Sequence, residues 1–470
     1  MKFINKTFFA SAAIASLLMM TACNKKLDVN PKQSIDAATA LTSTEDVNAA
    51  VIGCYSIMGG GSLYGTDLLQ MPDLLAADPS SSSTSAARYA TWSGTFTGPR
   101  QVYNKAMTRD NGEASRIWIN AYLAINTANT VIDALNVVTD AALKTQYEGE
   151  ALFVRGAMHF ELVRLYALPW GATTANDQLG VVIKTKATKT ETVASEKIAR
   201  SSVAAVYTQV IADLTAAVTK LPATNGTRVN KFTALAMLSR VYLQQGDYAK
   251  ALDAANQVIA SGNYKMNASV GAVFSNKNSA ESIWEIQQND QNNAGTSNDG
   301  MATFYASLPG VGRADVRVTT GFVGTYPVGD LRRTEWYYVG TGARPGNTYT
   351  SKWKSFSQNL PVIRIAEMYL TRAECNLRLS SNVGATPAAD LAQVKNTVRT
   401  NSVAPVAPVL ADVLAERVLE TAFEGLRIHD IKRLRLSVGT NPWNGPKLVF
   451  PIPQREVDAT VGVIVQNPGY

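Results

Sequence analysis

The chain has 470 residues and a formal net charge of +7. Its 46% hydrophobic and 17% charged residues are the balance of a globular protein, not a disordered one, and its length buries a sizeable core in one large domain or two to three smaller ones. Lysines and arginines are scattered, so nothing marks a nucleic-acid stripe.

The first element is "MKFINKTFFASAAIASLLMMTAC". Lys2 and Lys6 precede an apolar run from Phe8 to Met20, shorter than the ~20 residues of a membrane span. It reads as the core of a secretory signal peptide over 1–22. Ala22 directly before Cys23 resembles the lipobox of bacterial lipoproteins, with Met20 where leucine is commoner. The resemblance implies cleavage before Cys23 and a lipid on its sulfur and amino group. Acyl chains contribute ~0.8 kcal/mol per buried methylene, so such an anchor holds a protein on a membrane without a span. A polar tether, "NKKLDVNPKQS", follows within 23–40, and 41–470 reads as a single domain.

Helical patterns dominate that domain, over about 41–58, 113–265 and 361–436. "STEDVNAAVIGCYSIM" opens with Ser43 or Thr44 as a cap and acids in its first turn. "ASRIWINAYLAINTANTVIDAL" sets Ile117, Tyr122, Ile125, Ala128 and Ile132 at three-to-four spacing, and "GEALFVRGAMHFELVRLYA" is apolar almost all round, the pattern of a buried helix. Val203, Val206, Val210, Leu214, Ala217 and Leu221 form one stripe that ends at Pro222. In "ALAMLSRVYLQQGDYAKALDAANQVIAS", Tyr242, Gly246, Tyr248, Ala251 and Ala255 fall at offsets that resemble a tetratricopeptide repeat, in which small residues let paired helices approach. Further helices are expected over roughly 362–379, 387–400 and 411–436. Cys54 and Cys375 sit in apolar helical patterns as buried small hydrophobes. Sequence leaves their pairing open, and without nearby histidines they are no zinc site.

Two irregular excursions interrupt the helices, over about 59–112 and 270–360. The first is rich in Gly, Ser and Thr. The second starts as a strand-like "SIWEI", becomes an Asn/Gln-rich loop, and ends in "EWYYVGTGARPGNTYTSKWK", a hairpin with a Gly/Pro turn between aromatic strands. Long loops on a rigid frame are where binding usually resides.

Five stretches together resemble the SusD/RagB family of surface lipoproteins: "CNKKLDVNP", "GEALFVRGAMHFELVRLYALPW", "IRIAEMYLTRAEC", "ERVLETAFEGLRIHDIKRL" and "FPIPQREVDATVGVIVQNPGY". Their order is the family's order, and they span the mature chain almost end to end. Leu426 and His429 stand where the family often has a histidine and an aromatic. The resemblance implies a mainly α, SusD-like fold of tetratricopeptide-like helix pairs, with long loops and a short β-hairpin building a ligand surface. It implies a lipid anchor in the outer membrane of a Gram-negative cell, facing outward. It also implies a SusC-like TonB-dependent barrel transporter as partner, with this protein as its lid. An oligosaccharide is the commonest ligand of the family and a peptide a known minority; a tetratricopeptide-type interaction scaffold is the competing class of function.

Catalysis has little to stand on in these residues. The histidines are His159 and His429 only, and His159 shares a helix line with Leu152, Val163 and Tyr166, the position of a packed core histidine. There is no His-Glu-x-x-His pattern, no short-spaced His/Asp/Cys cluster, no nucleophile motif and no phosphate-cradling glycine loop after a strand. Hence no catalytic residue, metal ligand or cofactor is assigned. A sugar site instead needs a flat ring for the C–H face and Asn, Gln, Asp or Arg for the hydroxyls. Two regions supply that mix: Asp78, Arg88, Tyr89 and Trp92 in the first excursion, and Asn289, Asp290, Asn292, Tyr326, Trp336, Tyr338 and Trp353 in the second. These are the candidate ligand residues.

"TAFEGLRIHDIKRL", from Thr421 to Leu434, looks at first like an acid/base cluster. Read as part of a helix starting near Asp412, it puts Leu419, Ala422, Phe423, Leu426 and His429 on one face, with Arg417/Glu420, Glu424/Arg427 and Asp430/Arg433 as i, i+3 pairs. The expectation is therefore a structural signature carried by Glu424, Arg427, Asp430 and Arg433, whose loss impairs folding and not ligand affinity.

Overall fold

A computed structural model describes residues 41–189, 195–295 and 298–470; the expected signal peptide, Cys23 and the tether lie outside the described residues. The first described helix, α1 (Thr44–Gly59), begins at a reciprocal cap. The Ser43 hydroxyl accepts the Asp46 N–H at 3.1 Å and the Asp46 carboxylate accepts the Ser43 N–H at 3.0 Å, satisfying two otherwise orphaned donors. Two short helices, α2 (Asp67–Ala76) and α3 (Thr97–Asn104), lie inside the first excursion.

The frame follows as α4 (Gly112–Asp133), α5 (Ala141–Tyr166), α6 (Val203–Lys220), α7 (Lys231–Gln245), α8 (Tyr248–Ala260), α9 (Ile365–Leu379) and α10 (Pro387–Val394). From α4 onward each helix packs on the one before it, and α1 packs on α4. Such a nearest-neighbour array is the arrangement of helical repeat proteins. Every residue of α5 from Gly149 to Tyr166 is buried. The approach of α6 depends on Gly156, where a Cβ would come within 3.1 Å of Asp213 and Leu214. Charges on α5 enter the core with partners: Arg155 binds Asp213 at 2.6 Å, and Glu150 accepts the Tyr55 hydroxyl at 2.6 Å.

The α7–α8 pair carries the repeat signature. Asn230 caps α7, Gly246 ends it in the left-handed region at φ 76°, and Asp247 caps α8 one residue later. Ala251 and Ala255 are fully buried, and the Ser239 hydroxyl donates to the Ala251 carbonyl, so the two backbones lie close.

Among the described residues six short strands form three two-stranded antiparallel ladders: β1 (Ala90–Trp92) with β3 (Val316–Val318), β2 (Ser282–Ile286) with β6 (Leu360–Arg364), and β4 (Tyr337–Val339) with β5 (Thr348–Thr350). The β4–β5 ladder is the expected hairpin. The β2–β6 ladder closes the second excursion at its base, and the β1–β3 ladder sews the two excursions together with Trp92 opposite Val316.

The segment expected as one helix over 411–436 is two. α11 (Leu410–Glu420) packs on α9, and α12 (Arg427–Arg433) packs on α2 and α7. Between them the chain reverses at Phe423 (φ 62°) and Gly425 (φ 75°). A side chain at Gly425 would press the Leu68 carbonyl at 2.8 Å, so glycine is required there by both its φ and its contact with α2. The helix expected over 387–400 likewise stops at Val394. No described helix is long and apolar enough to cross a membrane.

Candidate functional site

The ring-bearing residues expected to meet a ligand lie mostly inside the protein. Trp336 and Trp353 are 1% and 0% exposed, and their indole N–H groups donate to the carbonyls of Val270 at 2.8 Å and Phe423 at 2.9 Å. The Tyr326 hydroxyl donates to the Leu419 carbonyl at 2.7 Å. Tyr89 stacks on Phe423 with ring centroids 4.4 Å apart. These positions are corrections to the expectation of a ligand platform: the rings fill the core, and for Trp336 the reason is also electrostatic. Lys352 is fully buried with its ammonium 4.0 Å over the Trp336 ring and 4.9 Å over Phe274, so the aromatic faces shelter cations of the core. Tyr338 is half-buried and accepts the Ser307 N–H at 2.8 Å. Trp92 is 7% exposed beside Phe304. Asp78 accepts from the backbone and hydroxyl of Ser80 and the hydroxyl of Ser81, which hold its carboxyl below the usual range against the effect of burial, and Arg88 donates to the Pro79 carbonyl. Both therefore serve their own loop.

The excursions do converge, at a groove, at the β1–β3 ladder, and again where Phe322 meets Ala86 and Ala87. A groove of about 510 Å³ lies between the carboxy-terminal half of α1, the Gly59–Gly61 turn, Arg228 before α7, and the chain running from Trp284 on β2 into the Asn/Gln-rich loop. Trp284 is fixed by edge-to-face contacts with Tyr64 (5.3 Å) and Phe153 (5.4 Å). Arg228 donates to the Asn48 side chain at 2.9 Å and stands 3.6 Å from Glu150. The Tyr55 hydroxyl is anchored by donating to Glu150 and accepting the Val229 N–H. On the far wall Asn359 donates to both Glu285 (2.8 Å) and Gln287 (2.9 Å). Asn289 closes a turn, accepting the N–H groups of Gln291 (2.9 Å) and Asn292 (2.8 Å), and so presents Asn292 and Asn293 along the groove. Asp290 is exposed and does not line it. Of the candidate residues, Asn292 alone lines this groove. Trp284, Tyr55, Arg228, Gln287 and Gln288 were not singled out from sequence; the one available signal was the run "QQNDQNN" directly after "SIWEI".

The second meeting place is the outer side of the β1–β3 ladder. Phe96 is 38% exposed, with the Arg313 guanidinium 4.1 Å from its ring centroid. Arg313 and Arg344 share Asp315 at 3.1 and 3.5 Å, and Arg317 donates to Ser93 and Asn347.

The apparent acid/base cluster resolves into ion pairs. Glu424 is held by Lys352 (2.6 Å) and Arg364 (2.7 Å), and Asp430 by Arg417 (2.9 Å) and Arg433 (2.7 Å). Of the three i, i+3 pairs read from sequence, Asp430/Arg433 alone forms: Arg417 and Glu420, though both on α11, bind Asp430 and the Arg332, Arg364 and Arg399 group instead, and the turn after Glu420 takes Glu424 to Lys352 and Arg364. The ring nitrogens of His429 have no partner among the described residues, and burial holds it neutral. His159 Nδ1–H donates to the Arg155 carbonyl at 2.9 Å while Nε2 accepts the Lys184 N–H at 3.2 Å; burial lowers its pKa to about 4. Among the described residues no group of three or more His, Cys, Asp or Glu is placed to hold a metal ion.

Comparisons with known proteins agree with this architecture. Residues 27–243 match the model of a SusD-like family described as starch-binding and associating with the outer membrane, and residues 324–445 match the SusD family model. SusD-like protein P2 of Formosa agariphila is 31% identical over 254 residues, covering 52% of this chain and 45% of that protein, so the chain spans about half the length of the curated relatives it matches. A SusD superfamily protein from Bacteroides thetaiotaomicron superposes with a TM-score of 0.80 at 25% identity, over 91% of this chain and 100% of that one. A laminarin-binding SusD-like protein does so with a TM-score of 0.72 at 22% identity, over 91% and 100%. With two of its family models matched in chain order around a shared helical frame, the chain belongs to the SusD/RagB family.

Proposed function

We propose that the protein is a non-enzymatic surface lipoprotein that captures an oligosaccharide in the groove between α1 and the Asn/Gln-rich loop. The observation that carries this reading is the lining. An indole edge and a tyrosine ring lie beside one guanidinium and a row of side-chain amides, which together offer donors, acceptors and apolar contact to a polyhydroxylated ring. The description of one matching family model as starch-binding, and the shared fold of a laminarin-binding protein, support the ligand class. On the same reading Cys23 carries the lipid, the anchor lies in the outer membrane facing outward, and a SusC-like TonB-dependent barrel transporter receives the ligand.

Calorimetry against a glycan panel that includes laminarin tests the capture step. Micromolar or weaker binding that falls at least tenfold in Arg228→Ala and Asn292→Ala is expected. Heat from oligopeptides and none from any glycan would replace the sugar by a peptide. Co-purification of a barrel transporter from gently solubilised membranes tests the partner, and release of Cys23→Ala from the membrane fraction tests the anchor.

A further inference from the structure

Among the cations of α12 itself, Lys432 and Arg433 find partners inside the protein and Arg427 does not. Arg417 and Arg433 share Asp430, Lys432 donates to the Arg164 carbonyl, and Arg332, Arg364 and Arg399 converge on Glu420. Glu424, the acid three residues before Arg427, is taken by Lys352 and Arg364. Arg427 is left with no hydrogen bond or ion pair among the described residues; Asp430, the acid whose charge acts on it, is already held by two other guanidinium groups.

Arg427, itself half-buried, lines a solvent-open cavity of about 460 Å³ bordered by the helical turn at Ala86–Ala87, Phe322, α11 and the turn at Ser437–Gly439. The walls are mainly apolar, from Ala87, Phe322, Val418, Leu419 and Val438. The other polar groups on them are largely committed: Asp78 to Ser80 and Ser81, Thr325 to the Phe322 carbonyl, and the Tyr89 hydroxyl to Asp73 and the Phe423 N–H. A guanidinium among apolar walls gains more from a carboxylate than it would in water, because water competes less for both charges. The walls gain in turn from an apolar body that covers them. A pyranose fits this surface poorly, since its hydroxyls would go unpaired against it.

We propose that this cavity is a second binding site, for an organic carboxylate whose apolar body lies against Phe322, Val418 and Leu419 while its carboxylate pairs with Arg427. The carboxylate can belong to a free small acid or to the terminal residue of a peptide.

The test is calorimetry on the folded chain with 3-phenylpropionate and its uncharged amide, and with Ala-Ala-Phe bearing a free or amidated carboxyl terminus. The acids are expected to bind at least tenfold more tightly than the amides; preference for 3-phenylpropionate or for the tripeptide identifies the source. Arg427→Gln should lose at least tenfold in affinity and Arg427→Lys should retain part of it. Arg427→Gln should melt at or above the wild-type temperature, because it removes a charge without a partner. Should that variant fold poorly, Ala415→Phe fills the cavity from the exposed side of α11 with Arg427 intact, and it should abolish binding. Equal affinity for acid and amide, wild-type binding by Arg427→Gln, or displacement by phosphate with no gain from the phenyl group would each overturn the proposal.

Discussion

Arg417 binds Asp430 across thirteen residues and a chain reversal, with its Nε 2.9 Å from Oδ2 and 3.1 Å from Oδ1. Arg433 closes on the same carboxylate from the other side at 2.7 Å and continues to Glu374 at 2.6 Å, while Arg417 continues to Glu367 at 3.5 Å and so to Arg240. The chain reversal between α11 and α12 is thus held by one buried acid shared by two buried cations. Asp430→Ala leaves Arg417 with Glu367 alone, at 3.5 Å, and takes from Arg433 one of its two acids, and breaking a buried pair costs about 3–5 kcal/mol. The expected outcome is a large loss in chemical denaturation midpoint, with glycan affinity unchanged in whatever fraction folds. A wild-type midpoint with binding abolished would return Asp430 to the site.

The same network predicts acid sensitivity. Burial alone would raise the Asp430 carboxyl, but Arg417 and Arg433 outweigh it and bring its pKa down to about 2. Glu420 is held well below its usual value by Arg399, Arg364 and Arg332, and Glu367 and Glu374 shift the same way against their own burial. A folded pKa below the unfolded one gives stability that is complete above the unfolded carboxylate pKa, near ~4, and is lost as pH falls through the folded value. The urea midpoint should therefore drop steeply from about pH 4 to about pH 2. A midpoint flat across that window would contradict the ion-pair assignment.

Trp336 and Trp353 make a prediction opposite to the one their sequence context suggests. Each is buried with its N–H satisfied, so truncation opens a cavity and costs about 3–5 kcal/mol. Trp336→Ala also removes the ring beneath the Lys352 ammonium. Thermal unfolding should fall sharply for both variants, and the affinity of the folded protein for glycan should stay at the wild-type value. Normal melting with lost binding would put these rings back on the ligand.

What sequence could and could not convey follows from the range of each interaction. The Ser43 cap, the Gly246 stop and the β4–β5 hairpin are decided within a few residues, and all were legible. The fate of Trp336 is decided by the Val270 carbonyl and by Lys352, which no local pattern reveals, so an aromatic in a polar loop read as a ligand platform. Arg427 and Arg433 stand at matching offsets from an acid, yet one is left over and the other doubly paired, because the turn at Phe423 sends Glu424 to Lys352 and Arg364. Gly425 was the visible warning of that turn. For the groove, "QQNDQNN" announced the chemistry, but Tyr55 and Arg228 join it only through folding of distant segments.

The cysteines yield the last prediction. Cys54 on α1 and Cys375 on α9 are free thiols, 1% and 0% exposed, and Cys375 packs with Leu243, Ala251 and Leu252. Burial first, then nearby Glu150 for Cys54 and Glu374 for Cys375, pushes both thiols up to about 12. The thiolate is the reactive form, so neither should react while the protein is folded. In a Cys23→Ser chain, a thiol reagent at pH 8 should find no fast-reacting group until denaturant is added, and then two. A reductant should leave the melting temperature where it was. A single fast-reacting thiol, or a melting temperature lowered by reductant, would mean that one of these side chains reaches solvent or that the two are joined.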